Sequence, residues 1–182
     1  YILLAEILRK ENKVNDALKT LYAAKKIEKF NSGIDYNLSI TYKAIKSFKE
    51  AIFSINSAIK LQPKNQIYKI LKADILIEFF QNEEAKELLL TLKLPRESFL
   101  YFQREILISK IFINQRNYAL AETVLLKLKK DFNKEKILYL NLSDLYFKNK
   151  ELEKGILILQ EGIDIFPDFI PLKFNLAVMY RN

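Results

Sequence analysis

Small residues return in this chain at a fixed interval. Ala17, Ala51, Ala85, Ala121 and Gly155 are separated by 34, 34, 36 and 34 residues. A second series, Ala5, Ser39, Ala73, Ser109, Ser143 and Ala177, keeps the same beat of 34, 34, 36, 34 and 34. Self-similarity at this period marks a chain built of stacked supersecondary units, each burying its apolar face against its neighbours. Large apolar residues follow in register. Leu8, Tyr42, Leu76, Phe112, Tyr146 and Tyr180 stand three residues after the second series, and Leu21, Ile55, Leu89, Leu125 and Leu159 four after the first. Spacings of three and four share one helix face, so each unit holds two amphipathic helices. The small residues mark where two helices approach closely.

Within that period Lys136–Phe169 carries Tyr139, Leu142, Ser143, Tyr146, Gly155, Leu159, Gly162 and Pro167, and Ser32–Asn65 carries Leu38, Ser39, Tyr42, Ala51, Ala58 and Pro63. This pattern resembles the tetratricopeptide repeat over the whole chain. The resemblance implies an all-α fold, a right-handed α-solenoid of stacked antiparallel helix pairs. Copies fall at about 1–31 (partial), 32–65, 66–101, 102–135 and 136–169, with a first helix only at 170–182, as one solenoid. The chain opens without Met in an apolar helical pattern, which reads as a segment of a longer protein. The third copy departs from the pattern: Lys72 replaces an expected Leu, and two extra residues fall near Leu94–Glu97. Leu92 and Leu128 replace Ala at a crossing slot in copies three and four. Wider helix spacing or a kink is expected across 85–105.

Composition removes most chemistries. The 182 residues include no Cys and no His, which excludes thiol nucleophiles, disulfides and histidine acid–base machinery. Three glycines cannot assemble a glycine-rich phosphate loop. The densest acidic stretch, Glu83, Glu84 and Glu87, reads as a solvated helix start. No catalytic residue, metal site or cofactor is expected, and the chain reads as no enzyme. The longest apolar runs are five residues, short of a transmembrane span. The compartment stays open, the cytoplasm favoured slightly over the envelope.

By resemblance, the first helices line a concave groove that takes a peptide or helix from a partner protein. Counting family positions places there Ile2, Glu6, Arg9, Tyr36, Ile40, Lys43, Ile70, Asp74, Ile77, Ile106, Lys110, Ile113, Leu140, Asp144, Phe147, Phe174, Val178 and Arg181. Eleven of these eighteen are apolar or aromatic, suiting an apolar or amphipathic segment, with inter-helix packing the competing reading of the same residues. Phe147, Phe174, Ile106 and Tyr36 are the expected anchors; Lys43, Lys110 and Asp144 set orientation. The carboxylate clamp of chaperone-binding members is missing. Asn37, Asn141 and Asn175 match its middle slot, but Lys and Arg do not flank them as the clamp requires. These amides are expected to bond neighbouring helices.

The net charge of +8 raises nucleic acid as a partner. Yet 25 of 30 cations are Lys, and the clusters Lys25/Lys26/Lys29, Lys60/Lys64 and Lys127/Lys129/Lys130 sit at helix C-termini, where cations offset the macrodipole. By copy the charge runs +3, +3, −1, +3, −2 and +2, which leaves no unbroken basic stripe. The expected partner is therefore another protein. Self-association into a homo-oligomer is the alternative, and nucleic acid ranks behind both.

Overall fold

The computed structural model describes residues 1–181, and these form eleven α-helices. They are α1 (Ile2–Lys10), α2 (Val14–Ile27), α3 (Ser32–Ala44), α4 (Phe48–Leu61), α5 (Gln66–Glu78), α6 (Asn82–Leu90), α7 (Phe99–Asn114), α8 (Tyr118–Asp131), α9 (Lys136–Lys148), α10 (Leu152–Ile165) and α11 (Ile170–Arg181). The fold is an all-α solenoid. Each odd-numbered helix up to α9 packs against the even one that follows it. The chain falls into two compact units, Tyr1–Lys93 and Leu94–Asn182.

Within the first unit, α2 packs on α3 and α4 on α5, which joins successive pairs. Its core holds Ala5, Ala17, Leu21, Ala24, Ile34 and Leu38 in one cluster and Ala51, Ile55, Ala58, Tyr68 and Ile75 in another. In the second unit α8 packs on α9 and α10 on α11, around a cluster that includes Leu125, Leu138, Tyr139, Leu142, Leu159 and Leu172. Both small-residue series occupy the helix crossings: Ala17, Ala51, Ala85, Ala121, Ala5, Ser39, Ala73, Ser109 and Ser143 are fully buried, at 0 % exposure. Ala177, on the last helix, is exposed.

Local signals set the helix ends. Asn31 caps α3, its side-chain oxygen accepting from the backbone N–H of Gly33 at 2.9 Å, and Asn65 caps α5 through the N–H of Ile67 at 3.1 Å. Ser98 caps α7 through the N–H of Tyr101 at 3.1 Å. Pro63 and Pro167 lie two residues past α4 and α10, where they bar continuation. A further repeating device had no sequence signal. Asn12, Lys46, Phe80, Arg116 and Lys150 take φ of 58–62°, the left-handed region, each just past a first helix. One residue on, a backbone N–H closes a six-residue cap, as from Ser47 to the Tyr42 carbonyl at 3.0 Å and from Gln81 to that of Leu76 at 2.8 Å. None of the five is glycine.

The departures of the third copy have local causes. Lys72 is accommodated because its ammonium reaches Glu84 on α6 at 3.3 Å. Its methylene stem lies in the interface. Leu92 and Leu128 are buried, at 4 % and 2 %. Helix α6 has nine residues where α4 and α10 have fourteen. Pro95 falls where Leu61 ends α4, and its ring bars a last turn there. The extra residues enter the segment between Leu90 and Phe99, and α7 begins three residues before the expected start of the fourth copy.

Candidate functional site

The first helices carry the candidate site, and each unit presents its own stretch of it. In the first unit the face is polar and internally paired. Lys43 on α3 is held by Asp74 and by Glu78 at 2.8 Å, both on α5. Burial lowers the Lys43 pKa, but the two carboxylates outweigh that and raise it. Arg9 on α1 reaches α3: it donates to the Thr41 hydroxyl at 3.0 Å, to Oδ1 of Asn37 at 3.2 Å and to the Asn37 carbonyl at 3.4 Å. Burial pulls its pKa below the ordinary guanidinium value. Arginine stays charged nonetheless. Tyr36 is half-buried and stacks on Tyr68 with 5.1 Å between ring centroids. Ile2, Glu6 and Ile40 are half-buried beside them.

The second unit presents a more apolar face. Phe147 on α9 is 40 % exposed and Phe174 on α11 is 67 % exposed, with Leu140 and Val178 half-buried on the same two helices. Asp144 accepts from Lys148 at 2.8 Å on its own helix, and Arg181 is exposed. Lys110 on α7 is half-buried.

Four predicted lining residues are core. Ile70, Ile77, Ile106 and Ile113 are 4–7 % exposed, so their slots serve packing, and Ile106 is no anchor. These four side chains are buried in the folded chain. Lys43 also differs from its expected role, since Asp74 and Glu78 already occupy its ammonium. Glu78 was not among the expected residues. Its signal was an opposite charge 35 residues after Lys43, one turn past Asp74 on the next first helix. The Asn expectation splits. Asn37 takes Arg9 from the neighbouring helix and Asn175 reaches Ser143 on α9 at 3.5 Å, whereas Asn141 donates to Ile137 on its own helix at 2.7 Å.

Two cluster lysines are likewise engaged: Lys25 pairs with buried Asp35, and Lys129 with Glu161. Among the described residues no three His, Cys, Asp or Glu side chains group to hold a metal, and no helix is long and apolar enough to cross a membrane.

A family model described as tetratricopeptide repeat matches residues 36–65 and 138–169, the two copies whose motifs are most complete. Those two stretches are tetratricopeptide repeats. Solved repeat proteins share the arrangement. A thermophilic tetratricopeptide-repeat protein of Thermus thermophilus superposes with a TM-score of 0.82 at 14 % identity, covering 100 % of this chain and 97 % of that one. A tetratricopeptide-repeat protein of Parabacteroides merdae gives 0.70 at 16 % identity, over 98 % and 82 %. YrrB, a repeat protein described as having an unusual peptide-binding site, gives 0.59 at 18 % identity, over 96 % and 89 %. At such identities the likeness is one of fold. No curated protein matches the sequence.

Proposed function

We infer that this tetratricopeptide-repeat chain is a non-catalytic interaction scaffold whose first helices hold an apolar or amphipathic segment of a partner protein. The repeat fold makes protein interaction its general role. The observation that carries the finer reading is the pair Phe147 and Phe174, large aromatic side chains left 40 % and 67 % exposed on the packed helices α9 and α11. Exposed aromatic residues beside a repeat groove are the kind of anchor around which peptide interfaces concentrate their affinity. YrrB, of the same fold, is described as binding peptide, which favours the same class of ligand.

The test is capture from nuclease-treated lysate at low and high salt, wild type beside a Phe147→Ala/Phe174→Ala variant of unchanged helicity. A protein kept in high salt by wild type and lost with the variant is the expected result. Capture that vanishes with salt, whatever the variant, would sink the apolar-groove reading.

Self-association has its own support. Leu3, Leu4 and Ile7 on α1 are 69, 50 and 45 % exposed, and Ile170 on α11 is 73 % exposed. Sedimentation at rising concentration decides it: a constant monomer mass removes this alternative.

A further inference from the structure

Arg9 and Lys43 occupy the same slot one copy apart, 34 residues from each other, yet their charges are met differently. Lys43 finds Asp74 and Glu78 on the next first helix. The residues at those two slots opposite Arg9 are Ile40 and Ala44. Its only acceptors on α3 are neutral: the Thr41 hydroxyl and the Asn37 amide and carbonyl oxygens. The one acid near it on its own helix, Glu6, is held by Lys10 at 3.0 Å. Among the described residues no carboxylate lies within ion-pair distance of the Arg9 guanidinium, and Glu6 acts on it only at longer range.

A half-buried cation without an ion-paired carboxylate is unusual, because burial removes water that would otherwise stabilise it. Here the side chain is also pinned in place. A guanidinium carries five N–H donors. Three contacts engage its Nη1 and Nη2 groups, which leaves Nε–H and one Nη2–H. A planar fork with donors to spare, already ordered by neutral acceptors, matches the oxygens of a carboxylate. Half-buried Ile2 and Ile40 supply apolar surface on the same two helices.

We propose that Arg9 is the docking point for a Glu or Asp side chain of the partner, so that the first-helix face of the first unit takes an acidic segment with apolar residues beside the acid. The proposal rests on the first-helix reading above and names the chemistry that the first unit's own stretch of it selects.

Two measurements test it. The first uses wild-type, ¹⁵N-labelled protein and reads the arginine Nε–H signals, one for each of the five arginines. The probes are N-acetylglutamate amide, its glutamine analogue and inorganic phosphate. The expected result is a saturable shift of the Arg9 signal with the glutamate probe and none with the glutamine probe. No shift at Arg9, equal shifts at Arg96, Arg116 and Arg181, or a shift with phosphate alone would overturn it.

The second follows the anisotropy of a fluorescein-labelled octapeptide of alternating Leu and Glu. Arg9→Met is expected to weaken binding at least tenfold and Arg9→Lys by less, with Lys26→Met, an exposed cation on α2, unchanged. Binding unaffected by Arg9→Met in a variant that melts with wild type would overturn the proposal. Failure of this reading and of the groove reading separate cleanly. A silent Arg9 with a responsive Phe147/Phe174 variant removes only the acidic docking point. The reverse pattern removes the apolar groove and leaves Arg9 in place.

Discussion

Gly155 and Gly162 stand seven residues apart on α10, both buried, the first at a slot that is Ala in all four earlier copies and the second at one that is Ala24, Ala58, Leu92 and Leu128, and a methyl group added at each meets different neighbours. At Gly155 the new carbon falls 2.6 Å from Cε and Sδ of Met179, the far end of a flexible side chain that can swing aside. At Gly162 it falls 3.0 Å from Cβ and Cγ of Tyr139, atoms fixed by the backbone of a fully buried residue. Gly155→Ala is therefore expected to stabilise the protein by about 1 kcal/mol through helix propensity. Gly162→Ala is expected to destabilise it by about 1–2 kcal/mol through overpacking. Thermal melts of the two variants check the signs, and a loss with Gly155→Ala would show that Met179 is rigidly held. Phe80 offers a second test. It combines a left-handed φ of 62° with a side chain 82 % exposed, so Phe80→Gly is expected to raise stability by about 1 kcal/mol. A lower melting temperature would mean that the Phe80 ring makes contacts worth more than the backbone relief. The small slots were legible in the sequence. Which glycine tolerates a methyl was not, because that depends on the distance to one particular neighbour.

The elements are joined by polar contacts as well as by the apolar seam. Tyr42, Tyr146 and Tyr180 share one slot of the period, and each turns its hydroxyl back to the preceding second helix: to the Tyr22 hydroxyl at 2.6 Å, to Glu122 at 2.9 Å and to Gln160 at 3.1 Å. Burial and the bond to Tyr22 push the Tyr42 phenol up to about 12. Lys25 on α2 joins α3 in the same sense, through Asp35, whose carboxylate is 3 % exposed. Lys25→Met would strand that carboxylate, so a loss of about 2–3 kcal/mol is expected from urea unfolding, with the exposed neighbour Lys26→Met as the silent control. Equal midpoints for the two variants would show that water replaces the ammonium at Asp35. The slot holding these tyrosines was visible from periodicity. Their partners were not, since a 34-residue beat orders positions along the chain and leaves open which polar tips meet across an interface. The same gap explains Ile70, Ile77, Ile106 and Ile113. Counting slots treats every first helix as lining an open face, whereas these four are packed away.

At the scale of the whole molecule, the excess of 30 cations over 22 acids invites a nucleic-acid reading that the arrangement of charge opposes. Lys25, Lys43, Lys72, Lys129, Lys148 and Lys154 are each committed to a carboxylate on their own or a neighbouring helix. Nucleic-acid affinity grows with the number of phosphates neutralised together, and it falls steeply with salt for that reason. Scattered, paired lysines neutralise few phosphates at once. A labelled 20-nucleotide oligothymidine is therefore expected to bind weakly at low salt, with a log–log salt slope of about −1 to −2, and to be released near physiological ionic strength. On the proposed reading, capture of a protein partner is expected to fall far less steeply over the same range, because burying Phe147 and Phe174 would be insensitive to screening and Arg9 would add a single ion pair. A salt slope of −5 or steeper for the oligonucleotide would mean that the lysines of several repeats act as one surface, and would return nucleic acid to first place.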